Sequence, residues 1–269
     1  MPHVHRRAPL DTVLRHHSPI VILALAGITG FAWAYILAGV GMSMSAIDMS
    51  AMADMGATTM APAPWSATDA VFVFLMWWIM MIAMMVPSAG PMALLFAAIA
   101  RKRQTQAMPY LATSAFLAGY LAVWGLFSAV AAFLHWGLEA SGLLTPMMTT
   151  SSGLLDGLVL AGAGLYQLTP LKQACLGHCR QPAKFITWRW RTGISGALRM
   201  GATHGTYCLG CCWFLMGLLF FGGVMNLYWI AGIASYVLAE KLIPHGRWLH
   251  HAAGAALAIA GTIILIDSV

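Results

Sequence analysis

Charged residues are scarce in this chain of 269 residues, because only 8% are Asp, Glu, Lys or Arg whereas 60% are hydrophobic. A soluble domain carries about a quarter charged residues, and so few charges cannot keep a globular surface in water. Several apolar stretches reach the length of about 20 residues that crosses a bilayer as a helix. We therefore exclude a soluble globular protein and predict a single polytopic membrane domain spanning residues 1–269.

Acidic residues are especially few, with eight in the whole chain. No two of them stand at a helical spacing that would pair their carboxylates, which disfavours a carboxylate relay for protons across the membrane. Asp156 is the acidic residue that we expect to reach furthest into the bilayer. The sequence also lacks a Gly-rich phosphate loop. The net charge of +6 does not indicate nucleic-acid binding, because the basic residues form short clusters between apolar runs and no single patch.

Apolar runs predict an all-α bundle of about seven transmembrane helices: 18–40, 68–86, 109–135, 152–170, 196–221, 224–241 and 249–267. All 14 Lys and Arg residues then fall on one side, with the N-terminus in the cytoplasm and the C-terminus outside. This arrangement gives a Met-rich external loop at 41–67 and a basic cytoplasmic loop at 171–194. We also expect Pro87 and Pro91 to break or kink the second run, since proline disrupts a helix interior.

The clearest chemical motif lies in the fifth apolar run and contains His204, Cys208, Cys211 and Cys212. These residues stand at positions i, i+4, i+7 and i+8, so they share one face of a helix. Imidazole and thiolate are ligands that suit Cu(I) or Zn(II). A lone buried cysteine usually packs as a small hydrophobic residue. A histidine and three cysteines on one face nevertheless favour a metal site.

Methionines on the second run form two i, i+4 rows: Met76, Met80 and Met84 in one, and Met81 and Met85 in the other. Thioethers bind Cu(I) without adding charge, although such rows often serve only as flexible core filling. At 1.5 Å of rise per residue, Met80 and Met81 come close to the middle of the membrane, level with His204 and Cys208. We therefore predict that Met80, Met81 and Met84 contribute to the same site, and that the second and fifth runs are neighbours.

Two further groups of possible ligands lie between the spans. The external loop carries a group of methionines that would capture copper: Met42, Met44, Met49, Met52, Met55 and Met60. The cytoplasmic loop carries Cys175, His178 and Cys179, which offer three ligands within five residues but match no standard zinc-finger spacing. Each group has an alternative interpretation without metal. The external segment is then a disordered loop, and the cytoplasmic segment is a loop whose cysteines are simply reduced thiols.

Two of these motifs together resemble a known family. They are the Met-Met-x-x-Met-Met-Val-Pro-Ser-Ala-x-Pro-Met run that ends at Met92, and the His204-Gly-x-x-Cys208-Leu-Gly-Cys211-Cys212-Trp213 run. They are similar, in order and separation, to motifs of an uncharacterised family of bacterial integral membrane proteins described only as predicted metal-binding. The resemblance implies a metal role for His204, Cys208, Cys211 and Cys212 and a place in a bacterial inner membrane.

These patterns favour a membrane protein that handles Cu(I) by acquisition, transport or delivery to a membrane enzyme, with zinc as a possible alternative metal. The expected partners are the lipid bilayer, the metal ion, and a membrane enzyme complex or metallochaperone. A thiol-based membrane oxidoreductase and a structural subunit of a larger complex stay open. Geometry disfavours the oxidoreductase, because Cys208 and Cys211 on an intact helix have Cβ atoms about 5 to 6 Å apart, too far for a disulfide.

Overall fold

The computed structural model describes residues 19–39, 65–102, 109–145, 148–243 and 247–268, and within these ranges the chain folds into nine α-helices. They are α1 (Pro19–Leu37), α2 (Ala67–Lys102), α3 (Pro109–Ala140), α4 (Gly153–Leu168), α5 (Pro170–Arg180), α6 (Pro182–Arg189), α7 (Gly193–Gly222), α8 (Leu227–Leu242) and α9 (Arg247–Asp267). The methionines of the predicted external loop all lie outside the described residues.

Five of the described helices, α1, α2, α3, α7 and α9, are long and apolar enough to cross a bilayer. A sixth span is possible if α4 and α5 cross together, with a bend of 64° between them. Pro170 begins α5 and the Thr169 side chain accepts a hydrogen bond from the Lys172 backbone, so a new helix starts at this bend. The chain is therefore a multi-pass α-helical membrane protein. Helix α8 has 16 residues, fewer than a span usually needs, so the seventh crossing stays a prediction.

The two prolines of α2 do not interrupt it, so the break predicted there is wrong, while a kink stays a prediction. The helix is continuous for 36 residues, from Ala67 through Pro87 and Pro91 to Lys102. Hydroxyl groups supply hydrogen bonds next to the prolines, because the Ser88 side chain donates to the Met85 carbonyl at 2.9 Å and the Tyr120 hydroxyl donates to it at 3.2 Å. Neither bond reaches the carbonyls of Ala83 and Pro87, which the prolines leave without a backbone donor. Membrane helices tolerate proline where they are packed inside a bundle.

Helices α3 and α7 approach each other very closely. A Cβ atom added at Gly119 would collide with the Leu198 backbone, and one added at Gly201 would collide with the Phe116 backbone. Small residues at helix interfaces allow this approach in a membrane, where packing rather than water exclusion holds helices together. The close contact brings Tyr120 of α3 against the Cys208 face of α7.

The segment predicted as a basic cytoplasmic loop at 171–194 folds largely into α5 and α6. Helix α5 packs against α7 and buries Leu176 and Lys172. This docking is tertiary and has no signal in the local sequence pattern. Its consequence is that the thiols of α5 lie beside those of α7.

Candidate metal site

The four residues of the α7 motif, His204, Cys208, Cys211 and Cys212, are all buried. The thiols of Cys211 and Cys212 donate to the carbonyl oxygen of Cys208 at 3.1 and 2.9 Å. All five cysteines of the chain are free. Three sulfur atoms are thus held within two turns of one rigid helix, in the interior of the bundle.

Cys208 is surrounded by polar groups from neighbouring helices. The Tyr120 hydroxyl of α3 lies 3.1 Å from Cys208 Sγ, and Lys241 Nζ of α8 donates to the same sulfur at 3.0 Å. Lys241 Nζ also donates to Ser88 Oγ of α2 at 2.8 Å. Cys208 Sγ therefore lies beside a buried ammonium, a neighbour that favours the thiolate form in which cysteine binds metals.

Met85 of α2 is the methionine that contacts the α7 cysteines. Its Sδ lies 3.9 Å from Cys212 Sγ. Helix α2 packs mainly on α1 and α3 and reaches α7 through side chains. Met80, Met81 and Met84, the predicted ligands, are buried in the same core as these cysteines. Met85 belonged to the predicted rows but not to the predicted ligand set.

Helix α5 adds two further sulfur atoms, so the two cysteine groups that the sequence suggested form one cluster. Cys179 of α5 lies next to Cys211 of α7. Cys175 Sγ packs on the backbone of α7, since a Cβ at Gly210 would lie only 2.8 Å from it. We call Cys175, Cys179, Cys208, Cys211, Cys212 and Met85 the sulfur cluster.

His178 and His204 have different surroundings. The His178 ring is exposed, stacks on Tyr207 with a centroid distance of 4.1 Å, and its Nδ1 lies 2.9 Å from the Ala174 carbonyl oxygen. It therefore faces Tyr207 and not the sulfur cluster. The His204 ring is buried and stacks on Tyr120, and its Nδ1 has no hydrogen-bond partner among the described residues. A buried ring nitrogen without a partner is costly, and a ligand would satisfy it.

Several residues of this region escaped the sequence analysis. Lys241 served there only as a marker of topology, Ser88 entered only as one position of the quoted motif, and nothing in the local pattern pointed to Tyr120. Among the described acidic residues, Glu240 is buried, whereas Asp156 is partly buried and accepts a hydrogen bond from Thr150. Burial of Glu240 depends on α5 packing against α8, because Lys172 neutralises it there.

The donor set fits a soft metal ion. Among the described residues, no three His, Cys, Asp or Glu side chains are already arranged to hold a metal. Thiolate and thioether sulfur together favour Cu(I). Cys212 and Met85 form such a pair.

The fold and the sulfur cluster define a multi-pass membrane protein with soft-metal ligands in its interior. The chain belongs to the PpoB2 family of copper chaperones, because the model of that family matches residues 74–264, more than half of the chain. The predicted copper-handling function is thereby confirmed, and zinc gains no support. No curated protein and no solved structure matches the chain. The matched span contains the whole sulfur cluster.

Proposed function

We propose that this copper chaperone holds Cu(I) in the membrane between Cys208, Cys212 and Met85. The observation that carries the proposal is the 3.9 Å contact between Cys212 Sγ and Met85 Sδ in the buried core, one helical turn from Cys208. Two thiolates and a thioether form a soft, low-charge ligand set that suits Cu(I). The ion is the cargo of the protein and is expected to leave it again.

The other soft side chains extend from this site in two directions. Met80, Met81 and Met84 stand on α2 between Met85 and the helix end that the basic residues predict to be outside. We propose that they receive the ion from the external methionines. Thioethers supply no charge, so an ion passes along them without being trapped.

Cys211, Cys179 and Cys175 continue the path from the holding site. Cys211 lies one helical turn from Cys208 on α7, and its thiol neighbours Cys179 of α5. We propose that copper moves by thiol exchange to this pair and then to an acceptor, a membrane enzyme or a metallochaperone. His204, with its unpartnered Nδ1, is a further proposed ligand beside Cys208. His178 is proposed only as a late contact for the departing ion, because it is exposed.

Copper stoichiometry under reducing conditions tests the function. The full-length protein in detergent, loaded with Cu(I) and freed of weakly bound ion, is expected to retain about one copper per chain. Cys212→Ser replaces a thiolate by a harder and reluctantly ionised hydroxyl, so retention is expected to fall to background. Parent protein that retains no Cu(I) would refute the proposed function.

Orientation is a separate part of the proposal. We propose that the chain lies in a bacterial inner membrane with its N-terminus in the cytoplasm, which places 41–67 outside and α5 and α6 on the cytoplasmic side. Reporter fusions after Met60 and after Arg103 are expected to show opposite sidedness. The same sidedness at both points would refute the orientation and the direction of the copper path.

A further inference from the structure

Two lysines are buried in the helix bundle, and they have different partners. Lys172 Nζ donates to both carboxylate oxygens of Glu240, at 2.9 and 2.8 Å. The Tyr236 hydroxyl also donates to Glu240, at 2.7 Å. Lys172 and Glu240 therefore form a neutral and well-satisfied pair.

Lys241, the next residue along α8, has no such carboxylate. The ion pairs within the described residues are Lys172 with Glu240 and His135 with Glu139, and Lys241 takes part in neither. Its ammonium instead donates to Ser88 Oγ and Cys208 Sγ, and only 8% of the residue is exposed. A buried ammonium is costly unless an anion neutralises it, so the arrangement calls for a negative charge at the sulfur.

A loaded copper site supplies the negative charge that neutralises the Lys241 ammonium. Cu(I) bound by the thiolates of Cys208 and Cys212 carries one net negative charge, and the Met85 thioether adds none. With the Lys241 ammonium beside it, the loaded site is neutral. Zn(II) on the same two thiolates is already neutral, so the ammonium would remain as an uncompensated buried charge.

We propose that Lys241 determines the specificity of the site by charge, favouring monovalent Cu(I) over divalent ions. This inference rests on the proposed copper site at Cys208 and Cys212. The position of the ammonium is fixed by Ser88, which lies one turn from Met85 on α2 and itself donates to the Met85 carbonyl. One turn of α2 therefore carries both the Met85 thioether and the Ser88 hydroxyl that positions the Lys241 ammonium.

The test is competition among metal ions in the full-length protein and in Lys241→Met, which keeps the length of the side chain and removes its charge. Cu(I) and Ag(I) serve as monovalent soft probes, and Zn(II) and Cd(II) as divalent ones. In Lys241→Met we expect weaker binding of Cu(I) and Ag(I) and unchanged or tighter binding of Zn(II) and Cd(II). The preference for monovalent ions should fall by at least about tenfold, since one unit charge lies next to the ligand sulfur. Lys241→Arg keeps the charge and should keep the preference.

The opposite direction of the two effects separates a charge role from a structural one. If Lys241→Met weakens all four ions equally, or leaves the preference unchanged, the inference is overturned. Should that variant fail to fold, Lys241→Gln retains a hydrogen-bond donor without charge and is judged by the same ratio. Parent protein that binds no Cu(I) would instead refute the proposed function, which is a different result from an unchanged preference.

Discussion

Methionine is buried in two regions of α2, and the two regions differ in what surrounds it. Met85 contacts the thiol of Cys212, whereas Met92, two turns further along, packs in a core with Phe96 and Phe116, whose rings stack at 4.8 Å. Both methionines are almost fully buried. Burial and residue type therefore do not distinguish a copper ligand from core filling. What distinguishes them is a second sulfur ligand next to the methionine, which Met85 has in Cys212 and Met92 lacks among its described core partners.

The largest expected effect comes from removing an aromatic ring in the region around Met92. Phe96 is fully buried, and Phe96→Ala leaves a cavity between stacked rings, which should cost about 3 to 5 kcal/mol of stability. Thermal unfolding in detergent measures this loss. At a temperature where the variant is still folded, its copper stoichiometry should equal that of the parent. Loss of copper from folded Phe96→Ala would mean that the two regions are not functionally separate.

Exchange of each methionine for leucine sharpens the comparison at nearly constant volume. Met85→Leu should weaken Cu(I) binding by about tenfold, because it removes one soft ligand from the site. Met92→Leu is the matched control on the same helix and should bind like the parent. Both variants should lose less than about 1.5 kcal/mol of stability. A competition titration with a Cu(I) chelator decides the result, and equal affinities for the two variants would remove Met85 from the site.

The smallest effect is expected at the edge of the sulfur cluster. Cys179→Ser should leave the amount of bound copper near that of the parent, because the holding ligands remain, but should slow release to an acceptor thiol by severalfold, on the order of 3. Leu171→Ala is the control from the same helix, since Leu171 is exposed and lies outside the sulfur cluster. Stopped-flow transfer to a thiol chelator measures the rates. Equal rates for parent and Cys179→Ser would place Cys179 off the path.

Much of the fold follows from local patterns in the sequence. Runs of apolar residues predicted seven helices, and the structure contains a helix at each, because a chain in lipid must satisfy its backbone hydrogen bonds within each segment. The break predicted at Pro87 and Pro91 is wrong, since α2 continues through both prolines, and the Ser88 and Tyr120 hydroxyls bond to the Met85 carbonyl beside them. Tyr120 comes from another helix and could not be read from the local sequence.

The candidate site was predictable along one helix and not between helices. Helical spacing placed His204 and the three cysteines on one face of α7, since that relation is local. Which side chains oppose the face depends on tertiary packing. The close approach of α3 at Gly119 and Gly201, and the docking of α5, bring Tyr120 and Cys179 to it. Lys241 was counted with the basic residues that mark topology, although its ammonium contacts Cys208.

Copper K-edge X-ray absorption of the Cu(I)-loaded full-length protein tests the central claim most directly, because it reports the atoms bound to the ion. The account predicts coordination dominated by sulfur, with two thiolates and one thioether in the parent and at most one nitrogen, from His204. It also predicts loss of one sulfur scatterer in Met85→Leu, with no change in Met92→Leu. Coordination dominated by nitrogen or oxygen, or the same spectrum in Met85→Leu as in the parent, would contradict a site formed by Cys208, Cys212 and Met85.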